Sequence, residues 1–342
     1  MTGKPDSQYA LIPAVPDVEG GKVPSARKKH AACAFNVCVA VFGGVDDAGQ
    51  LADSEPVIWL FNTGKSAWET MQAADSEKAP KPRSSARLFD FRNSLVLYGG
   101  VDASGAELND VWHFDYVEKT WTQFSDAPIS TSHAALTDGA LYLVSGSDNM
   151  SGDLHFLQLA VKQGQPRGWS TISFPTNPLT PGPLPRQGAG LLGTSTGYGR
   201  NYLLYLFGAR QHAPVVSAET VGDAQSEEES KSAAPQYWSD MWTFQLPSSQ
   251  PEVKLSPIDA LKPSKVKDTI REAIGVESGK HSWADVEVLP PTDLDIPEGK
   301  VHPGPRGFFA SDVMEDGRSV VLWGGINAKG EKEGDGWIIR LE

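Results

Sequence analysis

The stretch Val39-Ala40-Val41-Phe42-Gly43-Gly44 decides the fold, because its pattern occurs five times along the chain. A run of β-branched, aliphatic and aromatic residues predicts a buried strand, and the small residues that close it permit a tight exit of the backbone. The other four copies cover residues 95–100, 141–146, 202–209 and 320–325. Five copies with matching flanks predict a repeat architecture.

The flanks of these strands recur as well. A second element follows the glycine pair after a polar loop and carries a tryptophan in four copies: Trp59, Trp112, Trp242 and Trp337. A third element has a further tryptophan, at Trp68, Trp121, Trp169 and Trp283. An arginine precedes four of the strands, at Arg27, Arg83, Arg186 and Arg306, and Ser130 stands at its place in the third copy. The repeating unit therefore has several strands and a fixed arginine.

This order of elements resembles the Kelch repeat, from about Tyr9 to Glu342. In that family each repeat is one four-stranded blade of a β-propeller, as in the central domain of galactose oxidase. The resemblance implies an all-β fold: a single propeller of about five blades, without an attached adaptor domain. It does not decide the function, because the fold carries both binding scaffolds and enzymes.

The copies give the expected blade boundaries. Blades one to five cover residues 25–71, 82–124, 131–174, 185–289 and 305–342. The last blade ends after its third strand, so we expect residues 8–15 to add its fourth strand and close the ring, which leaves no sheet edge exposed.

Two insertions are expected in blade four. Residues 212–235 have almost no large apolar side chain and predict an acidic loop. Residues 264–275 predict a helix, with Ser264 as N-cap and an apolar stripe that includes Val266 and Ile270.

Composition restricts the partners and the compartment. The net charge of −13 and the isoelectric point near 5.0 argue against nucleic acid and anionic membrane as partners. No apolar run is long enough for a signal peptide core or a membrane span. Cys33 and Cys38 are too few for a disulfide framework and predict reduced thiols. We expect a cytoplasmic protein, with the nucleus as the alternative, and a monomer.

The repeat register predicts one candidate site at a mouth of the central channel. It is expected to contain the four repeated arginines and the polar residues after the glycine pairs: Arg27, Arg83, Arg186, Arg306, Arg210, Asp46, Asp102, Asp148, Gln211 and Asn327. Guanidinium groups suit a carboxylate, a phosphate or an acidic peptide. The alternative is that these residues pair with one another and tie neighbouring loops. Trp238 lies outside the repeated register and is the aromatic residue expected to contact a ligand or partner.

No metal or cofactor is expected. His30 and His133 share a register, but a metal site needs three or four ligands at one point. The iron-binding pattern of the family's plant specifier proteins is absent from this sequence.

Two functions remain open. The first is a binding propeller whose arginine-rimmed face captures an acidic peptide or protein. The alternative is a cofactor-poor cytosolic enzyme, such as an isomerase, cyclase or specifier-like protein, that acts on a small polar or anionic molecule. In the enzyme, Asp46, Asp102 or Asp148 would transfer the proton.

Overall fold

The structure is a computed structural model that describes residues 11–145, 153–160, 168–173, 182–195, 201–210, 237–246, 283–287 and 302–341. These form an all-β chain of antiparallel sheets, which are the expected propeller blades. The chain groups into two compact units, residues 1–132 and 133–342, which are described separately below.

The first unit contains two four-stranded blades, each with its strands paired in chain order. Blade one consists of β1 (Ala31–Phe35), β2 (Cys38–Phe42), β3 (Val57–Asn62) and β4 (Ala67–Gln72). Blade two consists of β5 (Arg87–Asp90), β6 (Ser94–Val101), β7 (Glu107–Asp115) and β8 (Thr120–Gln123). A single 3-10 turn, Ser76–Lys78, connects them.

The second unit contains the other three blades. Blade three consists of β9 (Ala134–Thr137), β10 (Ala140–Val144), β11 (Leu154–Gln158) and β12 (Trp169–Ile172). Blade four consists of β13 (Gly190–Ser195), β14 (Asn201–Leu206), β15 (Met241–Gln245) and β16 (Trp283–Asp285). Blade five has β18 (Ala310–Val313), β19 (Ser319–Trp323) and β21 (Gly336–Arg340), and beside it β17 (Arg306–Gly307) pairs with β20 (Ile326–Asn327).

The cores lie between successive blades, because each glycine-pair strand is apolar on both faces. In the first unit, Phe42 of β2 and Leu97 of β6 share one cluster, and the Phe42 ring meets Trp121 edge-on at 6.0 Å. In the second unit, Leu206 of β14 packs in one cluster with Leu322 of β19. Burial on both faces explains the continuous apolar runs of β6 and β10, whereas β19 exposes Val321 and Trp323.

The N-terminal segment differs from its expected position. Trp68 of β4 donates its backbone N–H to the carbonyl of Val15 at 2.8 Å and accepts from Asp17 at 2.9 Å. Residues 11–15 form no strand, and Pro13 and Pro16 lack the N–H groups that a ladder needs. The described part of residues 8–15 therefore lies along blade one, and blade five has three strands among the described residues.

The two insertions expected in blade four, the acidic loop 212–235 and the helix 264–275, lie outside the described residues. Within the described ranges, no helix is long and apolar enough to cross a membrane.

Candidate functional site

The repeated arginine of blade two is buried and bonded within its own blade. Its two terminal nitrogens donate to the two carboxylate oxygens of Asp110 at 2.5 and 2.9 Å. Nη1 also donates to the carbonyl of Gly99 at 3.0 Å, and Nε donates to the carbonyl of Lys81 at 3.0 Å. The Arg83 side chain is only 2% exposed. A buried guanidinium is tolerated in a protein when its charge and its donors are all matched in this way.

The same arrangement occurs in three other blades. The pairs are Arg27 with Asp53, Arg186 with Asp240, and Arg306 with Asp335. In each, the arginine also donates to the carbonyl of the first residue of the tight exit: Gly43, Phe207 and Gly324. These four arginines form ion pairs inside their blades, and their partners are aspartates other than the polar residues after the glycine pairs with which the sequence alternative paired them.

The aspartates that complete these pairs were not identified from the sequence. Each one also accepts a hydrogen bond from a repeated tryptophan: Trp112 and Trp242 at 2.7 Å, Trp337 at 2.8 Å and Trp59 at 3.2 Å. In three blades the aspartate lies two residues before the tryptophan, and this spacing was the available signal. Blade one supplies its carboxylate, Asp53, from the loop six residues before Trp59.

Asp240 shows the electrostatic effect of the pairing. Burial opposes its ionisation, but the hydrogen bond and charge of Arg186 outweigh burial and hold the pKa of the Asp240 carboxyl below its usual value. The pair is therefore fully ionised at neutral pH.

We call the residues that run from the repeated arginine to the first strand of its blade the lead-in loop. The second residue after the arginine has a left-handed backbone in four blades: Lys29 (φ 56°), Ser85 (φ 55°), Gly188 (φ 61°) and Phe308 (φ 58°). In the first unit, Ser85 donates its N–H to the carbonyl of Lys29 at 2.7 Å; in the second, Phe308 donates to Gly188 at 2.8 Å. Neighbouring lead-in loops are thus bonded to each other at this position.

The lead-in loops present exposed side chains. Lys28, Lys29 and His30 of blade one are exposed, and so are Ser85 of blade two and Phe308 of blade five. Burial of part of the imidazole and the charge of Arg27 lower the pKa of His30. At neutral pH the basic character of the first loop therefore comes from its two lysines.

The polar residues after the glycine pairs stabilise their own loops. Asp46 accepts from the N–H of Gln50 at 2.9 Å, and Asp102 accepts from the N–H groups of Ser104 and Ala106. Asn327 does the same for Lys329 and Glu331. Hydrogen bonds from Ser104 hold the pKa of Asp102 below its usual value, whereas proton transfer at neutral pH needs a raised one.

Blade four departs from this pattern. The backbone bridge between Gln187 and Ala209 matches the bridge between Lys28 and Val45 in blade one. Arg210, which is exposed, therefore occupies the position of Asp46. The remaining two expected site residues, Asp148 and Gln211, lie outside the described residues.

Trp238 lies between the arginines of blades four and five. Its backbone N–H donates to the carbonyl of Gly208 at 2.7 Å, and its backbone carbonyl accepts from the backbone N–H of Arg306 at 3.4 Å. The guanidinium carbon of Arg186 lies 5.9 Å from the centre of its ring. The indole Nε1 is buried and has no hydrogen-bond acceptor among the described residues.

The described residues contain no group of three or more His, Cys, Asp or Glu side chains that could hold a metal ion. His133 is buried and lies 3.2 Å from the Tyr205 hydroxyl. Cys33 and Cys38 are not joined by a disulfide.

Comparison with known proteins agrees with this architecture. A family model for the KLHDC2/KLHL20/DRC7 Kelch-repeats domain matches residues 14–208, more than half of the chain. The structure is similar to that of YjhT, a Kelch-type propeller, with a TM-score of 0.56 at 13% identity over 94% of this chain and 85% of that one. At this identity the likeness shows the fold alone.

Three curated relatives are similar over about a third of the chain. They are the alpha chain of the flagellar outer arm dynein of Chlamydomonas reinhardtii (31% identical, 37% of this chain), the human multiple epidermal growth factor-like domains protein 8 (34%, 32% of this chain) and the acyl-CoA-binding domain-containing protein 5 of Arabidopsis thaliana (28%, 39% of this chain). The matches span only 3%, 4% and 20% of the lengths of those proteins.

The family match covers the repeated arginines of blades one, two and four together with the left-handed lead-in residues that follow them. The chain therefore belongs to the Kelch-repeat family.

Proposed function

We propose that the lead-in loops bind an acidic segment of a protein partner. The Kelch fold is consistent with protein binding. The proposal adds the chemical nature of the partner. One observation carries the proposal: the arginines are occupied by aspartates of their own blades, while the second residue after the arginine is exposed on a fixed backbone in blades one, two and five.

The fixed backbone matters because binding costs conformational entropy. A left-handed residue bonded to its neighbour is already ordered, so little freedom is lost when its side chain contacts a partner. The four lead-in residues also differ in chemistry (lysine, serine, glycine and phenylalanine), although their backbones are alike. Lys29, Ser85 and Phe308 are exposed, and a shared backbone geometry with varied exposed side chains is what a recognition surface requires.

The acidic character of the partner is argued from blade one. Lys28 and Lys29 are adjacent and exposed, and the nearby Asp46 carboxylate accepts a hydrogen bond from its own loop. Two ammonium groups on a fixed loop favour carboxylates through charge complementarity.

Selection from a displayed library of random 12-residue peptides tests this proposal. The wild-type protein should enrich peptides rich in Asp and Glu, and the double variant Lys28→Glu/Lys29→Glu should lose that enrichment. Lys119→Glu is the matched control, because Lys119 is also an exposed lysine with a left-handed backbone (φ 54°), in the turn between β7 and β8. Enrichment without an excess of acidic residues, or equal effects of both variants, would refute the proposal.

The enzymatic alternative has no observation in its favour. Asp46 and Asp102 stabilise loops, and the pKa of Asp102 is shifted away from the range of a general acid or base.

We further propose that the protein works as a monomer in the cytoplasm or nucleus. Cys33 and Cys38, the two cysteines of the sequence, are not joined by a disulfide, which supports a reducing compartment. Sedimentation of the purified protein and fractionation of cells that express the tagged chain test the two statements.

A further inference from the structure

Four backbone segments of the second unit meet at Ala209. Ala209 pairs with Gln187 on one side and with Tyr237 on the other. A Cβ atom on Gly307 would lie 3.0 Å from the Ala209 nitrogen, so the lead-in loop of blade five passes directly against this point. The residues next to these contacts, Arg210, Tyr237, Trp238 and Phe308, therefore share one small area, which we call the ledge.

Phe308 is the unusual member of the ledge. A bulky residue with a left-handed backbone costs about 1 kcal/mol or more relative to an extended one, and Phe308 adopts it at φ 58° with 53% of its surface exposed. Burial of the ring therefore does not explain why phenylalanine stands here. The corresponding residues in the first unit are a lysine and a serine.

The ring is nevertheless held in place. A Cβ atom on Gly188 would lie 2.6 Å from Cδ1 of Phe308, so the ring rests on a position that only glycine leaves open. Its backbone N–H donates to the Gly188 carbonyl at 2.8 Å. On the other side of the loop, Cε1 of Tyr237 would be 3.3 Å from a Cβ on Gly307. Glycines thus clear space for two aromatic rings at one place.

The polar groups of the ledge favour an acceptor. Arg210 puts an exposed cation where blades one and two have Asp46 and Asp102. The buried indole Nε1 of Trp238 is a donor without an acceptor among the described residues. A half-exposed aromatic ring on a fixed backbone, with an exposed guanidinium on the adjoining segment, suits an apolar side chain with a carboxylate near it.

We propose that the ledge binds an apolar side chain of the partner segment, and that Arg210 binds a carboxylate close to that side chain in the partner's sequence. This inference rests on the proposed function and specifies the motif in the partner. That motif combines an acidic residue with an aliphatic or aromatic one at a fixed spacing.

Two variants test the ledge with little effect on folding. Phe308→Asn removes the ring and introduces a residue that tolerates the left-handed backbone. Arg210→Asp installs the residue that other blades have at this position. Met314→Asn is the control, because Met314 is an exposed apolar residue of the same unit, in the turn between β18 and β19. Circular dichroism and the melting temperature establish that each variant is folded.

The same random 12-residue library is selected with each protein. Wild type should enrich peptides with an apolar residue at a fixed spacing from Asp or Glu. Phe308→Asn should lose the apolar preference and keep the acidic one, and its affinity for the best wild-type peptide should fall about tenfold or more. Arg210→Asp should lose the acidic residue at that spacing.

The outcomes separate the two proposals. Enrichment of acidic peptides that lack an apolar position would refute the proposal for the ledge and leave the proposed function standing. Enrichment of apolar peptides without acidic residues would refute the proposed function. An equal loss of affinity in Met314→Asn would show non-specific adhesion and overturn the ledge. Self-association of wild type that Phe308→Asn abolishes would also overturn it, because the ledge would then be an interface between two copies.

Discussion

Each repeated arginine can be located in the sequence by the repeat pattern, but its role depends on an aspartate far along the chain. In the structure, Arg83 and Arg186 precede the first strands of their blades. Their aspartates follow 27 and 54 residues later, and the local signal for them was the Asp that recurs two residues before the tryptophan. The sequence showed that an arginine recurs, but the choice between a ligand and an internal carboxylate required the fold.

The first prediction concerns this pairing. Asp110→Ala should lower the free energy of unfolding by about 3–5 kcal/mol, because it leaves the buried Arg83 charge without its counterion. Urea denaturation measures the loss. Asp102→Ala should cost much less, because Asp102 is a partly exposed aspartate of the same blade that stabilises only its own loop. Equal losses in the two variants would contradict the role assigned to the ion pair.

A second prediction concerns His302. Burial lowers its pKa, and the charge of Arg306 lowers it further. The folded protein therefore keeps this imidazole neutral, whereas the unfolded chain takes up a proton near pH 6.5. Stability is then fully present above that pH and falls as the pH drops below it, because the unfolded state binds more protons.

The melting temperature at pH 7.5 and pH 5.5 tests the contribution of His302. His302→Gln keeps an acceptor for the Gly304 N–H and should show a smaller fall between the two pH values than wild type. The prediction fails if both proteins have the same pH dependence.

At the scale of elements, the strands could be predicted because the same sequence pattern recurs in each repeat. The glycine-pair strands, such as β2, β6 and β19, are continuous apolar runs with a sharp end. The described part of the N-terminal segment lies along blade one instead of blade five, and its apolar residues Leu11, Ile12 and Val15 are exposed, so the apolar run indicated neither burial nor the neighbouring sheet. Its backbone bonds to Trp68 are contacts that no repeat pattern encodes.

A third prediction concerns the tight exit of β2. A Cβ on Gly43 would lie 2.1 Å from the carbonyl oxygen of Arg83, whereas a Cβ on Gly49 would meet nothing within 4 Å. Both glycines have a left-handed backbone. Gly49→Ala should therefore cost about 1–2 kcal/mol from the backbone alone, and Gly43→Ala should cost several more because blade two must move. Thermal denaturation of both variants decides this, and equal costs would contradict the tie between blades one and two.

At the scale of the whole molecule, the repeats allowed the fold class to be predicted from the sequence but did not determine the function. Five concordant copies predicted an all-β propeller of the Kelch type, and the sheets and the family match confirm that class. The fold by itself fixes no ligand. The second residue after the repeated arginine differs between blades, as Lys29 and Phe308 show, and this difference points to a ligand. That the residue is exposed could be learned only from the structure.

The central claim is that the lead-in loops bind the partner, and hydrogen exchange with a bound peptide tests it most directly. The probe is the acidic peptide most enriched by the wild-type protein, and amide exchange is compared with and without it. The account predicts slower exchange in residues 28–30 and 84–87 of the first unit, and in residues 187–189 and 306–309 of the second. Protection confined to the turns around Val37 and Val117, which are exposed at the ends of other hairpins, would contradict it.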